Sequence, residues 1–290
     1  MRAESAGICY CSPMSLPNRL LGSTGVEVTA LGLGGEGVLR SFGREKEAYT
    51  LINRALDLGI TYCESARAYS GSESYYGRAL RERRREVFLT SKSHARDRRG
   101  ALAHLHETLA NMQTDHLDLW QVHDVREEAE LSEIFGPGGA IEAFVEARAQ
   151  GKTRFIGVTG HHDPAILAQC LERFAFDTVL MPVNPAEPQH ASFLSGVLPL
   201  ARGKGMGIVG MKVYLRGQAA RLPWYTDMEP FLRFALSQPV STVVIGCDDL
   251  GQLEENVRFA ERFTPLSEAE RQRLVREVAP FARQLMYYKP

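Results

Sequence analysis

Short apolar or β-branched runs alternate with helical periodicity along nearly the whole chain. Runs beginning near Thr29 (TALGL), Tyr62 (YCES), Val87 (VFLTS), Leu117 (LDLWQV), Arg154 (RFIGV), Thr178 (TVLMP), Gly207 (GIVGM) and Thr242 (TVVIG) predict eight strands. Successive starts lie roughly 24 to 37 residues apart, room for one strand, one crossover helix and two loops. The segments between carry helix punctuation. LINRALDLG stops at Gly59, Asp163-Pro164 supplies an N-cap and first helical position ahead of LAQCLERF, and Ser267-x-x-Glu270 is a capping box. Gly151 and Gly205 stand just before strands, where helices end and the chain turns. Ahead of the first beat, NRLLGSTGVEVTALGLG reads as a hairpin turning at Ser23-Thr24-Gly25.

Eight βα beats predict an α/β fold, a (β/α)8 TIM barrel whose bottom the N-terminal β-hairpin could cap. A doubly wound sheet competes, because periodicity cannot show closure, but no G-x-G-x-x-G follows the first strand. The repeat is too irregular for a solenoid, and no low-complexity linker marks a second domain. Residues 18–290 are therefore expected to form one barrel, and residues 1–17 a disordered or loosely docked extension.

Composition narrows the classes further. Of 290 residues, 34 are Lys or Arg and 35 Asp or Glu, a formal charge of −1 that argues against holding nucleic acid by bulk charge. The Arg-rich stretches from Arg81 and Arg96 then read as solvated faces. No apolar run approaches the ~18 residues of a membrane helix, and the N-terminus lacks an apolar signal core. The cysteines (Cys9, Cys11, Cys63, Cys170, Cys247) are odd in number and scattered, so a reducing cytoplasm is the expected compartment. Cys63 and Cys170 read as core, and no structural metal is expected.

In a barrel, chemistry belongs at the C-terminal strand ends and the loops after them. Glu64 and Tyr69 follow the second strand of the barrel, Lys92 ends the third and His123 the fourth. A phenol with a pKa of about 10 is a poor acid near neutrality. A lysine beside it is expected to lower that value, and a carboxylate to keep the lysine charged. A histidine aimed at the same point can donate to a carbonyl oxygen. The set suits stabilising an alkoxide while a hydride arrives, and since no side chain supplies hydride, a nicotinamide is implied. Taken singly, Tyr69 would be a half-buried aromatic, Lys92 a solvated charge and His123 a core histidine.

The segments LGSTGVEVTALGLGG, ALDLGITYCESARAYSGSESYYGRAL, VFLTSK, LDLWQVHDV and GKTRFIGVTG follow one another. In that order and spacing they resemble the aldo-keto reductase family, from about Arg19 to Asn256. The second contains the family's most recognisable pattern, usually Asp-Thr-Ala-x-x-Tyr-Gly-x-Ser-Glu. The resemblance implies reduction of a small aldehyde or ketone. Tyr69 falls on the catalytic acid, Lys92 on its partner lysine and His123 on the substrate-orienting histidine. Glu64 falls where the family has aspartate. It is one methylene, about 1.5 Å, longer, so a retuned site is expected. Gly34 and Gly35, ending the first strand of the barrel, fall on cofactor contacts.

The remaining cofactor positions depart more. The family's Ser-Asn becomes Thr159-Gly160-His161-His162, where Thr159 keeps a hydroxyl and His161 or His162 could hold the carboxamide or be mere loop. Neighbouring histidines do not chelate a metal from one face. Leu180 stands in place of a common glutamine, and Met211 in place of a ring-stacking tyrosine. Gly246, Cys247 and Gln252 occupy the places of a Lys-Ser pair and an Arg that grip a 2′-phosphate, while Glu255 and Asn256 match the adenine-contacting pair. Backbone amides from Gly246 to Asp249 could still bind phosphate. Lys212 and Arg216 could restore the lost charge, or Lys212 could line the substrate pocket. The resemblance thus implies NADP(H) first and NAD(H) second.

TGHHDP, FDTVLMPVN and GMKV resemble a bacterial branch, some of whose members carry an iron–sulfur domain. None is expected here, since no cysteine cluster follows and the sequence ends LMYYKP. Trp224 and Tyr225 read as pocket wall or loop packing, and FGPGG from Phe135 as closing a long loop over the substrate. A non-turnover relative that binds NADP(H) as a sensor or partner subunit is the competing function, motivated by Glu64 and the missing charge pair. An unrelated barrel isomerase or lyase would require the ordered motifs to be coincidence. Oligomeric state is not legible.

Overall fold

The structure, a computed structural model, describes residues 15–290. Residues 1–14, including Cys9 and Cys11 and most of the expected extension, lie outside the described residues. Leu16 is buried in the core, and the Pro17 carbonyl accepts from the Ala30 amide at 2.8 Å.

Two short strands, β1 (Asn18–Leu20) and β2 (Glu27–Thr29), pair antiparallel around a 3₁₀ turn at Gly22–Thr24, the expected hairpin. Eight parallel strands follow: β3 (Leu31–Gly37), β4 (Tyr62–Glu64), β5 (Phe88–Ser93), β6 (Leu117–Val122), β7 (Thr153–Thr159), β8 (Thr178–Pro182), β9 (Gly207–Met211) and β10 (Thr242–Cys247). β10 pairs with both β9 and β3, which closes the barrel and excludes the doubly wound sheet. Inward residues Tyr62, Phe88, Leu119, Leu180, Val209 and Val244 cluster with Leu21 and Val28 from the hairpin. The hairpin thus plugs the end where the strands begin, and Ser23 anchors it there through its amide to the Gly205 carbonyl.

The outer layer is α1 (Glu45–Asp57), α2 (Ser72–Leu80), α3 (Arg98–Asn111), α4 (Glu128–Phe135), α5 (Ala140–Ala149), α6 (Pro164–Arg173), α7 (Phe193–Gly196), α8 (Leu198–Gly203), α9 (Glu229–Leu236), α10 (Leu250–Glu261), α11 (Glu268–Val278) and α12 (Ala282–Leu285). Capping falls where the sequence places it. Asp163 accepts from the Ala165 amide at 2.8 Å, and Ser267 with Glu270 forms the capping box. The segment after His123 differs from the expected long loop. Glu127 and Glu130 form a capping box, Leu131 and Ile134 bury one helical face, and α4 results. FGPGG is only the link from α4 to α5. Among the described residues no helix is long and apolar enough to cross a membrane.

The C-terminal tail after α12 folds back onto the barrel mouth through a buried cluster. Lys289 Nζ pairs with Glu187 Oε2 at 2.8 Å, the two side chains 1% and 0% exposed. It also donates to the carbonyls of His190 and Ala191. The Tyr288 hydroxyl donates to Glu187 Oε1 at 2.7 Å and accepts from Asn184. Burial pushes the Glu187 carboxyl up, and Lys289 first, with the Phe193 amide and Tyr288 hydroxyl, draws it back. Removing one partner strands a buried charge. Lys289→Met is therefore expected to cost about 3 kcal/mol, read as a lowered urea midpoint, and Glu187→Leu/Lys289→Met to recover much of it. A single variant that unfolds with the wild type would contradict this account.

Candidate active site

The end of β4 and the end of β5 bring Glu64 and Lys92 into direct ion-pair contact, both almost fully buried. Two opposite charges out of water need their remaining bonds satisfied, and here they are. Lys92 Nζ donates to the Ser65 carbonyl at 2.7 Å, and Glu64 Oε2 accepts from the Gly35 amide at 3.0 Å. The extra methylene of glutamate is thus absorbed by reaching across to β3. Gly35 permits it, since a Cβ there would sit 2.6 Å from Ser72 Oγ and 3.0 Å from the Tyr69 ring. Gly35 spends its amide on Glu64, a role different from the expected cofactor contact.

Tyr69 sits on the turn between β4 and α2. Its amide donates to Ala66 O, and the Arg67 amide two residues earlier donates to Lys92 O. Lys92 Nζ lies 4.6 Å from the centre of its ring and Arg40 Cζ 4.9 Å. Burial raises the phenol above its ordinary pKa, Glu36 adds to the rise and Arg40 counters it. This is opposite to the lowering expected from a neighbouring lysine, because burial of the phenol outweighs the attraction of the nearby cations. Burial also pulls Lys92 itself down, with Glu36 opposing. The phenol stands protonated.

His123 presents its ring to Tyr69 edge-on at 5.8 Å, and its Nδ1 is buried without a partner. Burial first, then Lys92, holds its pKa well below 6.5, so the imidazole is neutral and can donate only one N–H. Behind it, Asp124 at φ +54° pairs with Arg126 at 2.6 Å and with His161 Nε2 at 3.2 Å. His161 is lowered by burial and raised by Asp124. Its Nδ1 is also buried and unpartnered, whereas His162 turns to the Tyr288 carbonyl. Thr159 accepts from the Asp124 amide at 2.8 Å.

One cavity of about 540 Å³ opens at the C-terminal strand ends. Tyr69, Glu64 and Glu36 line it together with Gly34, Met211, Lys212 and Tyr225, and it continues past Gly246 to Gln252, Glu255 and Asn256. Several expected residues stand behind this wall. Cys247 is buried, accepts from Asn256 Nδ2 at 3.5 Å, and has its thiol pushed up to about 12 by burial. Trp224 stacks on Phe231. At the start of α10, the Gln252 amide donates to Asp249 and the Asp248 amide to Gln252 Oε1, each at 2.9 Å. Those first-turn donors are therefore already taken.

Three charged side chains here were not expected as site residues. Glu36 follows directly on Gly34-Gly35, pairs with Arg40 at 2.8 Å and with Arg216 at 3.2 Å, and so ties β3 to the loop after β9. The strand-end rule that found Glu64 would have found Glu36. Asp124, next to His123 just past β6, lay within reach of the same rule, whereas Arg40 depends on a loop path that carries no sequence signal. In the loop after β9, Lys212, Leu215 and Arg216 hold φ of 54–56° without being glycine, backbone strain of the kind that gathers at working sites.

A histidine kept neutral by burial binds protons more readily once unfolded. As pH falls below about 6.5 the unfolded chain takes up protons that native His123 and His161 refuse, so stability declines. Urea midpoints are expected to drop between about pH 7.5 and pH 5.5, and less steeply for His123→Gln. A wild-type profile flat over that window would contradict the assignment.

Comparison with known proteins agrees with this architecture. The model of the Aldo/keto reductase family matches residues 30–222. The L-galactose dehydrogenase of Arabidopsis thaliana is 26% identical over 279 residues, covering 82% of this chain and 86% of that one. The aldo-keto reductase AKR11C1 of Bacillus halodurans, in its holo form, superposes with a TM-score of 0.76 at 24% identity, over 90% of this chain and 96% of that one. An aldo-keto reductase of Klebsiella pneumoniae in complex with NADPH gives 0.74 at 21% identity, over 94% and 95%. These two likenesses bear on the fold, and the family match on descent: the chain belongs to the aldo/keto reductase family.

Proposed function

We propose that the protein reduces an aldehyde or ketone to an alcohol, with Tyr69 as the proton donor and a reduced nicotinamide dinucleotide as hydride source. The observation that carries this reading is the half-buried, protonated Tyr69 on the cavity wall, with the Lys92–Glu64 pair beneath it and neutral His123 beside it. A cavity that takes in Tyr69 and also reaches Asn256 suits an elongated ligand. Gly34, Met211, Gly246 and Asn256 are the residues that would hold it, and NADPH in the Klebsiella pneumoniae relative supports a ligand of this class. Bound, the nicotinamide supplies the hydride that becomes the new C–H hydrogen.

The side chains do the rest. His123 donates to the carbonyl oxygen and fixes its direction. Tyr69 gives that oxygen its phenolic proton, so an O–H bond forms as the C=O π bond breaks. Lys92, held charged by contact with Glu64, stabilises the phenolate left behind. Among the described residues, the α10 end of the cavity bears Asp248, Gln252 and Glu255 and no cation, which removes the attraction a 2′-phosphate would need.

Tyr69→Phe keeps the packing and loses the proton. Its kcat/KM for small aldehydes, followed at the nicotinamide absorbance band, is expected to fall about 100-fold or more, with the dinucleotide Kd unchanged by fluorescence titration. NADH and NADPH are expected to bind with similar Kd. Turnover that survives in Tyr69→Phe would refute the mechanism. Dinucleotide binding with no carbonyl reduced by the wild type would favour the sensor reading.

A further inference from the structure

The rim of the cavity around Tyr69 carries more positive charge than its ion pairs consume. Arg40, Lys212 and Arg216 all line it, and Glu36 is the one carboxylate among them, bonded to both arginines. Among the described residues Lys212 Nζ makes no ion pair and no hydrogen bond, lying only over the rings of Tyr287 and Tyr288 at 5.7 and 5.9 Å. The other acid near it, Asp124, is already paired with Arg126. Glu64 and Lys92 neutralise each other below. One carboxylate cannot balance three cations in a partly desolvated pocket, and an unpaired ammonium there is costly until an anion arrives.

We propose that the carbonyl substrate carries an anionic group, a carboxylate or phosphate, seated between Arg40 and Lys212. This rests on the reading of Tyr69 as the proton donor, because the anion is placed relative to a carbonyl at that phenol. Arg40 is the cation that decides it. Its guanidinium lies over the Tyr69 ring, and its planar fork has donors to spare after Glu36 takes one. Glu36 holds the cations in position when the site is empty and competes with the incoming anion once it is occupied.

The same cations could instead meet the diphosphate of the dinucleotide, so the test separates the two sources. Matched probes are 4-carboxybenzaldehyde against benzaldehyde for turnover, and 4-(hydroxymethyl)benzoate against benzyl alcohol for binding to the protein saturated with oxidised dinucleotide. The binding arm, by calorimetry, needs no turnover. The carboxylate member of each pair is expected to be favoured about ten-fold or more, the worth of one charge-assisted bond, and less so as salt rises. Arg40→Met is expected to bring both ratios close to one while the dinucleotide Kd stays put, and Glu36→Gln to tighten carboxylate binding. Equal or reversed preference in the wild type, with benzaldehyde reduced, overturns the anionic substrate and leaves the reductase standing. Binding preference without any turnover overturns the reductase and leaves the anion site. Loss of dinucleotide affinity in Lys212→Met, with Arg40→Met altering neither ratio, assigns the cations to the diphosphate and overturns the inference.

Discussion

Everything at the mouth of this barrel hangs on a buried ion pair. Glu64 and Lys92 sit inside a closed ring of strands, where an unpaired charge would be intolerable. Each therefore recruits backbone, Glu64 the Gly35 amide on β3 and Lys92 the Ser65 carbonyl beyond β4. Three neighbouring strand ends are tied through five polar atoms. The turn that carries Tyr69 inherits this rigidity, because the same Lys92 residue holds the Arg67 amide through its main-chain carbonyl. A proton donor misplaced by about 1 Å loses much of its rate advantage, so a tether of this kind suits the role proposed for Tyr69.

Charge is laid out unevenly above that pair. Around Tyr69 the cavity is cationic, through Arg40, Lys212 and Arg216, and among the described residues Glu36 is the carboxylate that pairs with them. Toward α10 it turns acidic, with Asp248 and Glu255 on the lining. A net charge of −1 conceals this separation. In a pocket of low effective dielectric, charges a few ångströms away outweigh the summed charge of the surface, so the arrangement governs which end of a ligand is welcomed where.

The barrel was legible because its strands are buried on both faces and so read as short, largely apolar or β-branched runs, alternating with segments of helical periodicity that in places carry a cap. The hairpin was legible from its turn residues. Glu64, Tyr69, Lys92 and His123 were legible because strand ends are positions that a sequence can locate. What failed to show was whatever depends on the path of a loop. Arg40 reaches Tyr69 only because the chain turns at Val38–Arg40, and α4 was hidden by the glycines and proline that follow it. The direction of the Tyr69 shift was misjudged for a related reason. Adjacency of a lysine is visible in the motif order, but the burial that raises the phenol is set by three-dimensional packing.

The C-terminal tail links the stability of the fold to the electrostatics of the site. Tyr287 and Tyr288 lie beneath the Lys212 ammonium, and Tyr288 is fixed from behind by Glu187 and Asn184. Asn184 also donates to the Lys212 carbonyl at 3.2 Å, gripping the strained residue from its backbone. Two aromatic faces offer a cation partial compensation without a counter-charge, so the ammonium stays available to a ligand anion. Had a carboxylate stood there instead, Lys212 would be as fully consumed as Lys92. The buried Glu187–Lys289 pair thus holds in place the tail whose rings lie under the Lys212 ammonium.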